Sequence, residues 1–281
     1  MILRAIPATK NSPKIACRSL NIGANGAHTT HLQKTSIARP KIKEYAIVKD
    51  FVPNTHYILY INSLMDTLDE IQETIENQSQ KLPLLASDLA VNTQTGEILT
   101  EFHAPLYFQT NATDTIKNDK PQSVMAYEKL KNILSQEILP RVFKQINLWG
   151  SLPDVVYIQL FLQRFSSNYE VDWQQIVSED YHTSANYALV LALRDKDDSN
   201  FGWHGSDFLL RSGLPEEATQ PDEVVKITPA RNQAIIFNNV LNSYAVTQLI
   251  PTSTKAKQDL LIIAFGIESA PLLSNLVTDR P

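Results

Sequence analysis

Tyr187-Ala188-Leu189-Val190-Leu191-Ala192-Leu193 decides how this chain is read: seven residues without a charge, followed by the polar turn signal Asp195-Lys196-Asp197-Asp198-Ser199-Asn200. Such a run, short and rich in aliphatic residues, predicts a β-strand. Upstream lie the long β-rich run Val155–Phe165 and the extended segment ending in Val171-Asp172-Trp173-Gln174-Gln175-Ile176. Downstream come Gly205-Ser206-Asp207-Phe208-Leu209-Leu210, then Gln233-Ala234-Ile235-Ile236-Phe237 after Pro229-Ala230-Arg231-Asn232, then Ser243-Tyr244-Ala245-Val246-Thr247, and Lys257-Gln258-Asp259-Leu260-Leu261-Ile262-Ile263. Strands are predicted at about 155–165, 171–176, 185–194, 207–211, 223–228, 233–238, 243–249 and 258–267, with breaks at Pro215-Glu216-Glu217, Pro229 and Pro251-Thr252-Ser253.

This order and spacing resembles the core of the 2-oxoglutarate/Fe(II)-dependent oxygenases, in their prolyl-hydroxylase-like branch. The resemblance spans residues 45–268 and is strongest from 155 onward. It implies an α+β protein with a double-stranded β-helix (jelly-roll) core and N-terminal bracing helices. It also implies a place for iron, which the family binds with a His-x-Asp pair and a distant second His, and for a basic residue that grips 2-oxoglutarate. In the best register Gln174 and Ile176 stand at the His-x-Asp pair, Tyr244 at the second His and Lys257 at the basic position.

The chemistry of those four positions is unlike the family's. A non-haem Fe(II) site wants two imidazoles and a carboxylate on one face with positions left open. A Gln amide is a weak neutral donor, Ile has no lone pair, and a Tyr phenol with an ordinary pKa of about 10 must ionise before it binds metal well. Lys257 alone suits the family role. The fallback set for a metal is His182, His204 and Asp207, but His182 sits too near the next strand, and Gly205-Ser206-Asp207 fits as a turn. If strand alternation holds, Tyr157, Gln159, Asn238 and Asn242 join Gln174, Tyr244 and Lys257 in lining the former site. Such a lining either binds a small carboxylate or peptide amide, or is filled by Ile176 packing where a metal would sit and Tyr244 bonded to Gln174.

Ahead of the core, Tyr45–Phe51 predicts a short strand. Ile58, Ile61, Leu64, Met65, Leu68 and Ile71 form one helical stripe, capped by Asn54 or Thr55. Leu89-Ala90-Val91 and Ile98–Phe102 flank a turn in which Gly96 supplies a positive φ. A second helix runs from about Ser123 through Tyr127, Leu130, Leu134 and Ile138, and Pro140 is expected to interrupt it, leaving the portion to Trp149 kinked or a separate turn. By the resemblance, these helices brace the outer face of the major sheet. The turn after Pro229 often carries Gly in the family; here Asn232 is the non-Gly residue best suited to a left-handed conformation.

The chain of 281 residues, 43% hydrophobic and 20% charged, suits one globular domain. Its single cysteine, Cys17, excludes an intramolecular disulfide framework and a cysteine-based metal site. No apolar run reaches the length of a membrane span, so a soluble protein is expected. Residues 1–43 carry eight basic residues and no acid. Taking those eight from 25 leaves 17 basic against 30 acidic residues, a net −13, in the remainder. The expected division is a basic arm or targeting segment at 1–43, the β-helix domain at 44–268, and a tail at 269–281. The arm reads as an organelle transit peptide, a segment touching RNA or an anionic membrane, a secretion signal of an effector, or a plain tail. The matching compartments are an organelle matrix, the cytoplasm or the exterior. The sequons at Asn77 and Asn111 match a very common pattern and carry little weight without a secretory signal peptide.

Three functional readings follow. The first is a non-catalytic oxygenase-like protein without cofactors, acting through protein partners or a larger assembly. The second is an active dioxygenase with displaced ligands, using Fe(II) and 2-oxoglutarate. The third is a metal-independent binder of a small carboxylate held by Lys257.

Overall fold

The structure is a computed structural model; it describes residues 42, 44–73, 81–103, 122–166, 168–176, 185–197, 201–215 and 224–266. These belong to one compact unit, residues 39–281. The arm, apart from Ile42, lies outside the described residues, as do the tail, His182 and both sequons.

The strands are β1 (Tyr45–Val48), β2 (Lys81–Asn92), β3 (Ile98–His103), β4 (Val155–Phe165), β5 (Val171–Gln174), β6 (Tyr187–Ala192), β7 (Trp203–Gly205), β8 (Phe208–Ser212), β9 (Val224–Ile227), β10 (Gln233–Asn238), β11 (Asn242–Val246), β12 (Leu249–Pro251) and β13 (Gln258–Phe265). The major sheet has the order β1-β10-β6-β13-β4-β2-β3, and the minor sheet β5-β11-β8-β9, with antiparallel pairing in both. From β4 onward the chain passes repeatedly between the two sheets, so sequence neighbours such as β5 and β6 lie in different layers. That strand order is a jelly roll, a double-stranded β-helix. Each of the eight expected core strands has its counterpart. The ribbon of β7 and β12 adds a pairing that the sequence did not announce, because both strands are three residues long.

Strand parity divides the core into two layers. Leu189 and Leu191 of β6, Leu160 and Leu162 of β4, and Leu261 and Ile263 of β13 face the helices. Ala188, Val190, Phe161, Leu260 and Ile262 point the other way, between the sheets, where they meet Phe208, Leu210 and Tyr244. Helix α1 (Thr55–Glu73) buries Ile58, Ile61, Leu64, Met65 and Leu68 against the first layer, and Asn54 Oδ1 caps it by accepting from the His56 amide at 3.0 Å.

The second bracing helix does not stop at Pro140. Helix α2 (Gln122–Ile133) passes through a π-turn at Leu134–Ile138 into α3 (Leu139–Ile146), with Pro140 in the first turn of α3. The π-turn lets the Leu139 amide reach the Leu134 carbonyl, and Pro140 brings no amide to the next position. Gly96, at φ +78°, packs against this break: a Cβ there would stand 2.6 Å from the Ser135 carbonyl oxygen. Asn232 has φ +63°, and its side chain also clamps Val52, accepting from the Val52 amide at 2.8 Å and donating to its carbonyl at 2.7 Å. A Gly at 232 would supply the turn but not the clamp.

Where α1 meets the major sheet lies a closed group of charges. Arg164 grips Asp259 through Nε at 2.7 Å and Nη2 at 2.9 Å, and Arg194 donates to the same carboxylate. Asp66 of α1 accepts from Arg164, Arg194 and Lys257 at 2.9, 2.8 and 2.6 Å, and Asp69 pairs with Arg164. Three cations thus face three carboxylates, with Asp259 fully buried. Burial works to lower the Arg164 pKa, but the hydrogen bond and charge of Asp259, with Asp69 and Asp66, raise it. At Asp66, burial works to raise the pKa, and the Lys257 hydrogen bond with the Arg194, Lys257 and Arg164 charges overcomes it, leaving the pKa below 3.8.

Removing one member of a buried charge group strands the others. Asp259→Ala is expected to lower the unfolding free energy by about 3–5 kcal/mol, read by urea denaturation. Because Asp66 has a depressed folded pKa, its contribution is present above its unfolded value and is lost as pH falls through the folded one. Asp66→Asn is therefore expected to flatten the fall of the urea midpoint below about pH 4.

Candidate functional site

Strands β5 and β11 place Gln174 directly across from Tyr244. Gln174 Nε2 donates to the Tyr244 phenol oxygen at 2.7 Å, the pair expected from the register. The Tyr244 ring stacks on Phe208, with centroids 5.2 Å apart and planes 5° apart, and tilts against Phe237 at 6.4 Å. Ile176 is buried in the same layer, and Asn239 holds its backbone on both sides, accepting from the Ile176 amide and donating to its carbonyl at 2.9 Å each. Three of the four candidate residues therefore share one place, filled by aromatic and aliphatic side chains.

Lys257 is elsewhere. Parity on β13 sends Leu260 and Ile262 between the sheets and Asp259 to the helices, and Lys257 follows Asp259. Its ammonium bonds Asp66 and lies 4.8 Å from the Phe201 ring centroid. The expected lining role for Lys257 is corrected: a one-residue step puts it on the far side of the major sheet. Its neighbour Gln258 turns inward instead, accepting a hydrogen bond from Ser206. Those two side chains, with Val190, Ala192, Phe208, Gln233, Leu260 and others, border a cavity of about 10 Å³, room for about one water.

The remaining lining candidates serve turns or pack. Asn238 Oδ1 accepts from the Val240 and Leu241 amides at 2.9 and 3.1 Å, and Asn242 Nδ2 donates to the Asn238 carbonyl at 2.8 Å. Tyr157 packs against the inter-sheet layer and Phe102, and Gln159 is buried beside it.

Of the fallback metal residues, His204 is exposed on the β7–β12 ribbon. Asp207 is buried, but its carboxylate accepts from Thr228 Oγ1 at 2.8 Å and pairs with Lys226 at 2.8 Å. His182 lies outside the described residues. Among the described residues no three His, Cys, Asp or Glu side chains stand close enough to share a metal ion. The donor set brought together at β5 and β11, an amide and a neutral phenol beside an alkyl side chain, does not fit Fe(II).

The described domain is a jelly roll by its own strand order. It is similar to a 2OG-Fe(II) oxygenase family oxidoreductase of Burkholderia pseudomallei, at 9% identity over 79% of this chain and 84% of that one, with a TM-score of 0.45. It is likewise similar to the IDO protein of Bacillus thuringiensis, at 12% identity over 80% and 93%, TM-score 0.44. A third likeness is a Trichoplax adhaerens prolyl hydroxylase solved with a hypoxia inducible factor peptide fragment, at 11% over 82% and 87%, TM-score 0.43. No family model and no curated protein matches the chain.

Burial raises the Tyr244 pKa to about 12, against a smaller lowering by its hydrogen bond with Gln174. As pH rises from about 10 towards 12 the unfolded phenol loses its proton while the folded one keeps it, so this group's share of stability falls with pH. Tyr244→Phe is expected to make the alkaline fall of the urea midpoint shallower than in the parent chain, and equal slopes would count against a buried neutral phenol.

Proposed function

We propose that this chain is a non-catalytic protein built on an oxygenase-like jelly roll, acting in protein interaction or assembly without iron or 2-oxoglutarate. One observation carries the reading: across β5 and β11 the candidate ligand positions are satisfied by each other and by packing. Gln174 bonds Tyr244, Phe208 and Phe237 enclose the phenol, and Ile176 is buried alongside. Lys257, the candidate anchor for a dicarboxylate, is engaged by Asp66 on the helix side of the major sheet. No helix among the described residues is long and apolar enough to cross a membrane. Nucleic-acid contact, if the protein makes any, falls to the basic arm.

Purified chain is expected to retain well under one iron per molecule after anaerobic loading, and to release no carbon dioxide from 2-oxoglutarate. One bound iron per chain with turnover, lost in His182→Ala or His204→Ala, would establish the displaced-ligand oxygenase instead. Millimolar 2-oxoglutarate or succinate is expected to leave the melting temperature unchanged without metal. A shift equivalent to about 2.7 kcal/mol, the gain at a hundred times the dissociation constant, would establish a carboxylate binder.

A further inference from the structure

We infer that the cavity bordered by Ser206, Gln233 and Gln258 is a built site for one small neutral hydrogen-bond acceptor, a water molecule, held by the amide donors of the two glutamines. The inference goes beyond the function proposed above and does not rest on it. Neither Gln174 nor Tyr244 borders this cavity.

Three elements bring the polar groups together. Gln258 opens β13 and faces between the sheets with Leu260. Gln233 opens β10, which β6 separates from β13 in the major sheet. Ser206 stands just before β8 of the minor sheet, in a turn where Gly205 and Ser206 are both left-handed, at φ +69° and +50°. Glycine adopts that conformation freely, whereas a side chain at 206 is held there at a cost in strain. The turn carries the Ser206 hydroxyl into the interior, where it donates to Gln258 Oε1. A glycine at 206 would make the same turn without the hydroxyl.

On this wall the donors outnumber the acceptors. Gln258 is 1% exposed; its Oε1 is taken by Ser206, and its Nε2 has no acceptor among the described residues. Gln233, 7% exposed, accepts from the Ala230 amide at 3.2 Å through Oε1, and its Nε2 likewise has no acceptor among the described residues. The rest of the wall is apolar, chiefly Val190, Ala192, Phe208, Ile235, Val246 and Leu260. Each wall residue, with the chain on either side of it, is among the described residues. A buried amide N–H without an acceptor forfeits the hydrogen bonds it made to water in the unfolded chain, so native structures rarely leave one.

Size, charge and polarity select the ligand. A volume of about 10 Å³ admits about one water and no organic molecule. No wall residue carries a charge, so an anion would be desolvated without a counter-charge. Lys257, next in sequence, bonds Asp66 on the other side of the major sheet. An apolar guest would leave both amides unpaired. A water accepts from Gln258 Nε2 and Gln233 Nε2 and donates to a lone pair of Ser206 Oγ, which gives it the usual complement of about three hydrogen bonds. Bound in this way it ties β10 and β13 of the major sheet to the turn ahead of β8 in the minor sheet.

The test combines water-oxygen relaxation dispersion of the full chain, which counts waters in slow exchange with bulk, with urea denaturation. Ala192→Val adds two methyl groups at the cavity wall and leaves every polar group in place. It is expected to remove one water from the count and to lower the urea midpoint, because the amides lose their acceptor. Gln258→Met, which has no donor to satisfy, is expected to lose the same water. In that background Ala192→Val is expected to lower the midpoint by about half as much or less. Equal counts in the parent chain and Ala192→Val would overturn the inference. So would a raised midpoint in Ala192→Val, the result of filling a dry void, or an equal fall in both backgrounds, the result of overpacking alone. Should Ala192→Val fail to fold, the parent chain against Gln258→Met gives the same count, and equality there would overturn it.

Discussion

Every central strand of the major sheet is buried on both faces, and this constraint governs the rest of the structure. A side chain on β4, β6 or β13 enters either the helix layer or the space between the sheets, and a shift of one residue exchanges the two. Lys257 and Gln258 show the consequence. One reaches the acids of α1 and the other borders the inter-sheet cavity, although they are adjacent in sequence.

The helix layer is where that constraint meets charge. Arg164 and Asp259 stand directly opposite each other on β4 and β13, so their bidentate pair ties the two central strands in one register. Asp66 and Asp69 then attach α1 to the same pair. A slip of one residue would send Arg164 and Asp259 into the apolar space beside Phe161 and Ile262, without their partners from α1. An apolar replacement of the whole group can match its stability, but it would not discriminate registers so strongly, since apolar side chains suit both layers.

The fold was legible because the eight core strands differ from their turns: polar runs such as Asp195–Asn200, and prolines at 215, 229 and 251, mark the breaks between apolar stretches. The facing of those strands was less legible. With both layers apolar, Leu260-Leu261-Ile262-Ile263 shows no alternation, so nothing in that run says which side Lys257 takes. The usable signal was a charge inside an apolar strand: Arg164 beside Phe165, and Asp259 before Leu260. Such charges call for partners. The pairing of Gln174 with Tyr244 followed from the register across β5 and β11, whereas Arg211 and Trp173 were missed because their meeting depends on a diagonal across three strands. The interruption signalled by Pro140 falls just ahead of it: a π-turn rearranges the carbonyls that a proline leaves unbonded, and the chain continues as α3.

The two faces of the minor sheet treat their polar groups in opposite ways. On the inner face Gln174 and Tyr244 satisfy each other, and burial holds the phenol neutral, so nothing there calls for an added ion. On the outer face the Arg211 guanidinium stacks on Trp173 and donates to Ser243 Oγ and the Pro215 carbonyl, and no acid among the described residues pairs with it. Where β5 and β11 meet, the space between the sheets is closed by its own side chains.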